Sequence, residues 1–173
     1  MSLIADPKDV MREPPSGRFV FITFIVAYLV YLLPADGILA YLRVELPLIV
    51  LLYWSIHQPR HGGFAIGFVL GLLVDVADGN VLGQHALSYT VAIFLTLVLR
   101  LRILKFKLWQ QALHILAILL VHQFLVALTH VFLPSSFPGW SYFLASFVGA
   151  LLWPVIVFAL EYPQLLARRA YND

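Results

Sequence analysis

From Phe19 to Leu160 the chain is a succession of apolar runs, broken only by short clusters of charge, proline and glycine. Lipid, and not water, is the solvent that such a pattern suits, and inside lipid every backbone polar group has to be paired within the protein. Composition agrees: 62% of the 173 residues are hydrophobic, 12% are charged, and the mean hydropathy is +0.91. The expected fold class is an all-α integral membrane protein, a compact bundle of about six transmembrane helices. The apolar segments lie at about 19 to 33, 46 to 57, 63 to 77, 84 to 99, 109 to 132 and 141 to 160. Several fall short of the roughly 20 residues that cross a hydrocarbon core of about 30 Å. Residues 1–18 are expected as a cytoplasmic tail, 19–160 as the membrane domain, and 161–173 as a second cytoplasmic tail.

Charge sets the direction of the spans. With the N-terminus inside, the cytoplasmic stretches hold Lys8, Arg12, Arg18, Arg60, Arg100, Arg102, Lys105, Lys107, Arg168 and Arg169. Only Arg43, close to Glu45, falls outside, so six crossings with both termini cytoplasmic satisfy the positive-inside rule. The same distribution explains the sequence pI near 9.0 without nucleic acid. The run from Arg100 to Lys107 is an inner-face topology anchor that can attract anionic membrane lipids, and it is too short and too interleaved with aliphatics for a nucleic-acid site. Trp54, Trp109 and Trp140 fall near span boundaries, where an indole keeps its ring in lipid and its N–H wet. Trp153 stands inside the sixth segment beside Pro154, which is expected to kink the helix. Pro47 falls in the first turn of segment two, where proline costs little.

Within segment three, GFAIGFVLGLLVD places Gly63, Gly67, Gly71 and Asp75 at steps of four. Such steps wind slowly round a helix, so the glycines form one seam along which another helix, of this chain or of a partner, can approach closely. Asp75 lies roughly 18 Å along that helix at 1.5 Å per residue, and the turn signal Asp78-Gly79-Asn80 follows at about 22 Å. The turn is therefore expected below the outer surface, where irregular backbone is tolerated only in the shelter of protein or a watery cavity. Asp75 is expected to face inward and to accept hydrogen bonds from this turn, which continues through Gly83, or from a neighbouring helix. An acid at that depth is a candidate functional residue, and structural glue is the favoured role because no second acid in a helix centre completes a relay.

Enzyme templates fail in turn. The chain has no GxSxG elbow, HExxH pair or phosphate-binding glycine loop followed by Lys and Ser or Thr. Without cysteine there are no disulfides, thiolate metal sites or thiol nucleophiles. His114, His122 and His130 recur every eight residues, each step rotating about 80°, so the first and third point nearly opposite ways and no shared metal site can be assembled from them. His122 with Gln123 is expected to bond across helices. His57 and His61 flank Arg60 at the inner surface, where contact with headgroups is the ordinary expectation. No catalytic, cofactor-binding or metal-binding residue is assigned.

Four stretches taken in order point further: ELPLIVLLYW at 45–54, GFAIGFVLGLLVDVADGNVLGQHAL at 63–87, LWQQAL at 108–113 and LLWP at 151–154. Together they resemble the MreD family of rod shape-determining proteins of bacterial cell-wall elongation. The resemblance implies a non-enzymatic inner-membrane scaffold that associates with MreC and, through it, with MreB, RodA and penicillin-binding proteins. The positions that match are Gly67, Gly71, Gly79, Gly83 and Asp75, with the cytoplasmic-side stretch containing Trp109, Gln110 and Gln111. The family supplies no catalytic residues and no cofactor. An alternative is the substrate-binding subunit of an energy-coupling-factor type vitamin transporter, which has similarly short glycine-rich spans. That alternative asks for a pair of small residues on the first span, where Phe19 to Leu33 offers only Ala27.

Overall fold

The computed structural model describes residues 16–34, 44–132 and 139–172. The N-terminal tail up to residue 15, Arg43 and residues 133–138 lie outside the described residues. Among the described residues six α-helices follow one another: α1 Gly17–Tyr31, α2 Leu46–His57, α3 Phe64–Asp78, α4 Gln84–Ile103, α5 Leu108–Phe132 and α6 Leu144–Asn172, the last preceded by a 3-10 turn at Trp140–Phe143. There is no strand among the described residues. Each apolar segment thus carries one helix. Three stretches, Gln84–Ile103, Leu108–Thr129 and Trp140–Leu165, are long and apolar enough to cross a membrane. The others are shorter, with α2 only 12 residues or about 18 Å.

Local chemistry explains the helix ends. The Ser16 hydroxyl accepts the Phe19 N–H at 3.3 Å and caps α1. Pro47 occupies the first turn of α2, where no intrahelical donor is lost. α3 stops at Gly79, whose φ of +64° suits a residue without a β-carbon, and the carbonyls of Asp75 and Val76 are taken up by the turn that follows. α6 runs without interruption through Pro154 and Pro163 to Asn172, so the residues expected as a C-terminal tail continue the last helix.

At the centre stands α2. Every residue from Pro47 to Ile56 is buried, and the helix meets α1, α3, α4 and α6. A helix that is apolar all round belongs in a core. α5 completes the bundle by packing between α4 and α6. Trp54 is accordingly not at an interface: it is fully buried, and its indole N–H donates to the Thr23 hydroxyl of α1 at 2.9 Å. The sequence position near a span end is right, but the indole turns toward the bundle, where Thr23 satisfies its donor. Trp109 and Trp140 are exposed, at 70% and 83%. Trp153 is buried and donates to the Gln111 side chain at 3.3 Å, linking α6 to α5.

The surface has the polarity expected in lipid. Leu101, Phe158, Leu151 and Phe21 are among many large apolar side chains left exposed, while Ser55, Asp75, Ser88, Thr96 and His122 are buried. Exposed apolar surface on this scale would drive association in water. Two of the buried hydroxyls are satisfied by nearby carbonyls: Ser55 by those of Leu51 and Gly62, and Thr96 by that of Ala92.

The glycine seam packs against the chain's own α4. A β-carbon added at Gly71 would lie 2.4 Å from Ala86 Cα and 2.5 Å from Ala86 N, both backbone atoms that cannot rotate away. At Gly67 it would lie 2.0 Å from Ile93 Cδ1, the end of a side chain. Gly63 is different: it precedes α3, and the nearest atom to such a β-carbon is 3.8 Å away. Gly71→Ala is therefore expected to lower stability by about 1–3 kcal/mol through overpacking, whereas Gly63→Ala stays near wild type. Thermal unfolding of the two variants in the same detergent checks the contrast, and equal midpoints would contradict the close α3–α4 approach.

Candidate functional site: a buried cluster of carboxylates and imidazoles

The turn between α3 and α4 is built around one side chain. Asp75, in the last turn of α3, is completely buried. Its Oδ2 accepts the Gly83 N–H at 2.8 Å and, more weakly, the Ala86 N–H at 3.5 Å; its Oδ1 accepts the His85 N–H at 2.8 Å. These N–H groups open α4 and have no partner within that helix. Gly83, the residue before α4, has φ of +103° and no side chain to offer a cap. Asp75 caps α4 from across the turn. A carboxylate near the C-terminal end of its own helix is disfavoured by that helix's dipole, and the positive end of α4 offsets this.

The same carboxylate sets the state of an imidazole. Asp75 Oδ1 lies 2.8 Å from His85 Nδ1. An ionised carboxylate only accepts, so Nδ1 carries the hydrogen and Nε2 points onward. It points toward Glu45, whose Oε1 is 3.8 Å from His85 Nε2 and 2.8 Å from His122 Nε2. Glu45 immediately precedes α2, and His122 lies midway along α5. Three helices thus meet at one polar point. Tyr89, one turn after His85, packs its ring edge-on against both imidazoles. Glu45 Oε2, His122 Nδ1 and the Tyr89 hydroxyl are buried with no hydrogen bond of good geometry, the Tyr89 hydroxyl lying beside the Glu45 carboxylate.

The other singled-out residues divide into separate groups. Asp78 accepts the Tyr31 hydroxyl at 2.5 Å, and Tyr28 donates to the Leu73 carbonyl at 2.9 Å, so α1 is tied to α3. Gly79 and Gly83 serve turn geometry, and a β-carbon at either would meet nothing within 4 Å. Arg100 is partly buried and donates to the Ile56 carbonyl at 2.5 Å, compensating the C-terminal end of α2, while Arg102, Lys105 and Lys107 are exposed. Trp109 and Gln110 are exposed, and Gln111 is buried, donating to the Phe106 carbonyl at 3.0 Å. Gln123 donates to the Tyr142 carbonyl at 3.0 Å and accepts from the Ser146 hydroxyl, binding α5 to the start of α6.

Sequence reasoning missed the convergence. The sequence places Glu45 beside Arg43 ahead of the second apolar segment and offers no second acid for Asp75; it does predict that His122 bonds across helices, as it does, without naming Glu45 as the partner. Glu45 and His122 stand 77 positions apart, so no local spacing could join them. The one available signal was that Glu45 directly precedes a wholly apolar helix.

The family model described as rod shape-determining protein MreD matches residues 16–162, a stretch that takes in all six helices but for the end of α6. The chain is also similar to the protein named rod shape-determining protein MreD of Haemophilus influenzae, with 29% identity over 131 residues, 76% of this chain and 81% of the relative. No solved structure matches the chain.

Asp75→Asn keeps the size of the side chain but replaces one acceptor by an amide donor that opposes backbone N–H groups. A loss of about 1–3 kcal/mol is expected from the donors left unsatisfied. Unfolding in detergent against wild type measures it, and a variant as stable as wild type would contradict the capping role.

Proposed function

Because the chain belongs to the MreD family of rod shape-determining proteins, we propose that it is a non-enzymatic scaffold of the bacterial inner membrane that helps form and maintain rod shape. In this reading it assembles with MreC and, through it, with MreB, RodA and the penicillin-binding proteins of the peptidoglycan-synthesising elongation machinery. Both termini are cytoplasmic, and the six helices cross or enter the membrane as one domain. The observation that carries the reading is the family match across residues 16–162.

The geometry suits a part that is held rigid rather than one that opens. α2 is enclosed on all sides, and the glycine seam of α3 is occupied by α4 down to backbone contact. A partner helix consequently docks on the outer faces of the bundle and not in the seam. The exposed stretch at Trp109 and Gln110 and the cations Arg102, Lys105 and Lys107 lie together at the α4–α5 connection, which the charge distribution assigns to the cytoplasm. There they are placed to meet anionic lipid headgroups and cytoplasmic components of the assembly.

Depletion of the protein in a rod-shaped host, followed by microscopy, is expected to give rounded cells that regain rod shape when the wild-type gene is restored. Cells that remain rods without it would sink this reading. Co-purification from the same host tests the partner: MreC is expected to be recovered with the wild-type chain, and its absence under mild detergent would remove the assembly part of the proposal.

A further inference from the structure

The Glu45, His85 and His122 side chains belong to helices far apart in sequence, and each offers one ligand atom such that all three lie within 4.8 Å of one another. We propose that this cluster is a binding site for one divalent transition-metal ion of the zinc class. The inference is independent of the role in cell shape.

Distance favours it. A tetrahedral zinc with bonds of about 2.0–2.1 Å separates its ligand atoms by about 3.3 Å. That value falls between the 2.8 Å from His122 Nε2 to Glu45 Oε1 and the 3.8 Å from His85 Nε2 to the same oxygen. All three ligand atoms lie within 4.8 Å of one another, so the widest pair has to close by up to about 1.5 Å for the three to share one ion. Two imidazoles and a carboxylate select zinc-class metals over calcium or magnesium, which take oxygen ligands.

Ligand orientation favours it equally. The Asp75 carboxylate holds His85 through Nδ1–H and directs the Nε2 lone pair at Glu45. A proton or a metal ion on Nε2 relieves the repulsion between that nitrogen and Glu45, and a carboxylate behind a ligating histidine is the usual outer support of a metal site. Charge closes as well: with Asp75 and Glu45 ionised, a divalent cation makes the buried cluster neutral, as a membrane interior requires. Three protein ligands leave a fourth position for water. The Tyr89 hydroxyl, buried beside the Glu45 carboxylate, supplies a further polar group at the same cluster.

The ion would join the start of α2, the start of α4 and the middle of α5. A metal there fastens the three helices to one another.

The test uses full-length, tag-free protein in detergent, stripped with chelator and then given zinc or cobalt(II). About one zinc per chain is expected after removal of excess metal, with a higher thermal midpoint, and cobalt is expected to give the visible absorption of a tetrahedral site. Glu45→Gln and His122→Gln are expected to lose the stoichiometric zinc, while His114→Gln, altered at a partly exposed histidine bonded to the Gln110 carbonyl, retains it. Asp75→Asn is expected to weaken zinc binding about 10–100-fold without removing a ligand. Wild-type protein that keeps no zinc and shows no tetrahedral cobalt band would overturn the proposal, and would do so even if the variants failed to fold. Glu45→Gln and His122→Gln chains that hold zinc as tightly as wild type would overturn it too.

Discussion

The carboxylate of Asp75 governs how the α3–α4 pair can exist at all. A buried interhelical turn leaves the first N–H groups of the following helix without water, and each such group is costly if nothing receives it. Gly83 and His85 give their N–H groups to Asp75, and the ring of His85 adds a third. Gly71, one turn earlier on α3, lets Ala86 come within backbone distance, which carries the carboxylate to the helix end it caps. The glycine and the acid are therefore one device: removing either leaves the other without its purpose.

From that turn the polar interior extends to Glu45 and His122, and so to helices that α3 and α4 do not define by themselves. The core elsewhere follows the opposite rule. Leu48, Leu51, Leu52 and Ile56 of α2 are fully buried among apolar neighbours. In lipid, however, burial of such residues yields little free energy, since hydrocarbon surrounds them in either state. Close packing and interhelical hydrogen bonds must specify the bundle instead. The pairs Trp54–Thr23, Trp153–Gln111 and Gln123–Ser146 each join two different elements and distribute that specification across the bundle.

Much of this architecture was legible in the sequence. The number and order of helices follow from the apolar runs and their breaks, and the inward-facing acid follows from counting residues along a helix. The small-residue seam on α3 was equally visible, but its occupant was not, because GxxxG states only that something comes close. Trp54 illustrates a second limit: position along a span locates an indole in depth but not in rotation, and the Thr23 hydroxyl that receives it lies 31 positions away. The cluster at Glu45 was hidden for the same reason. Sequence patterns report on residues three or four apart, whereas a carboxylate before α2 and an imidazole on α5 become neighbours only once the whole bundle has closed.

The enclosure of α2 bears on how the protein meets its bilayer. At about 18 Å it is far shorter than the hydrocarbon core, yet its flanks touch other helices and not lipid. Mismatch with membrane thickness is felt by surfaces in contact with acyl chains, which here means the outer faces of helices such as α4 and α6. Thicker or thinner membranes would tilt or stretch that outer ring while the central helix kept its length and its partners. The bundle thus separates an adaptable perimeter from an axis indifferent to the lipids around it.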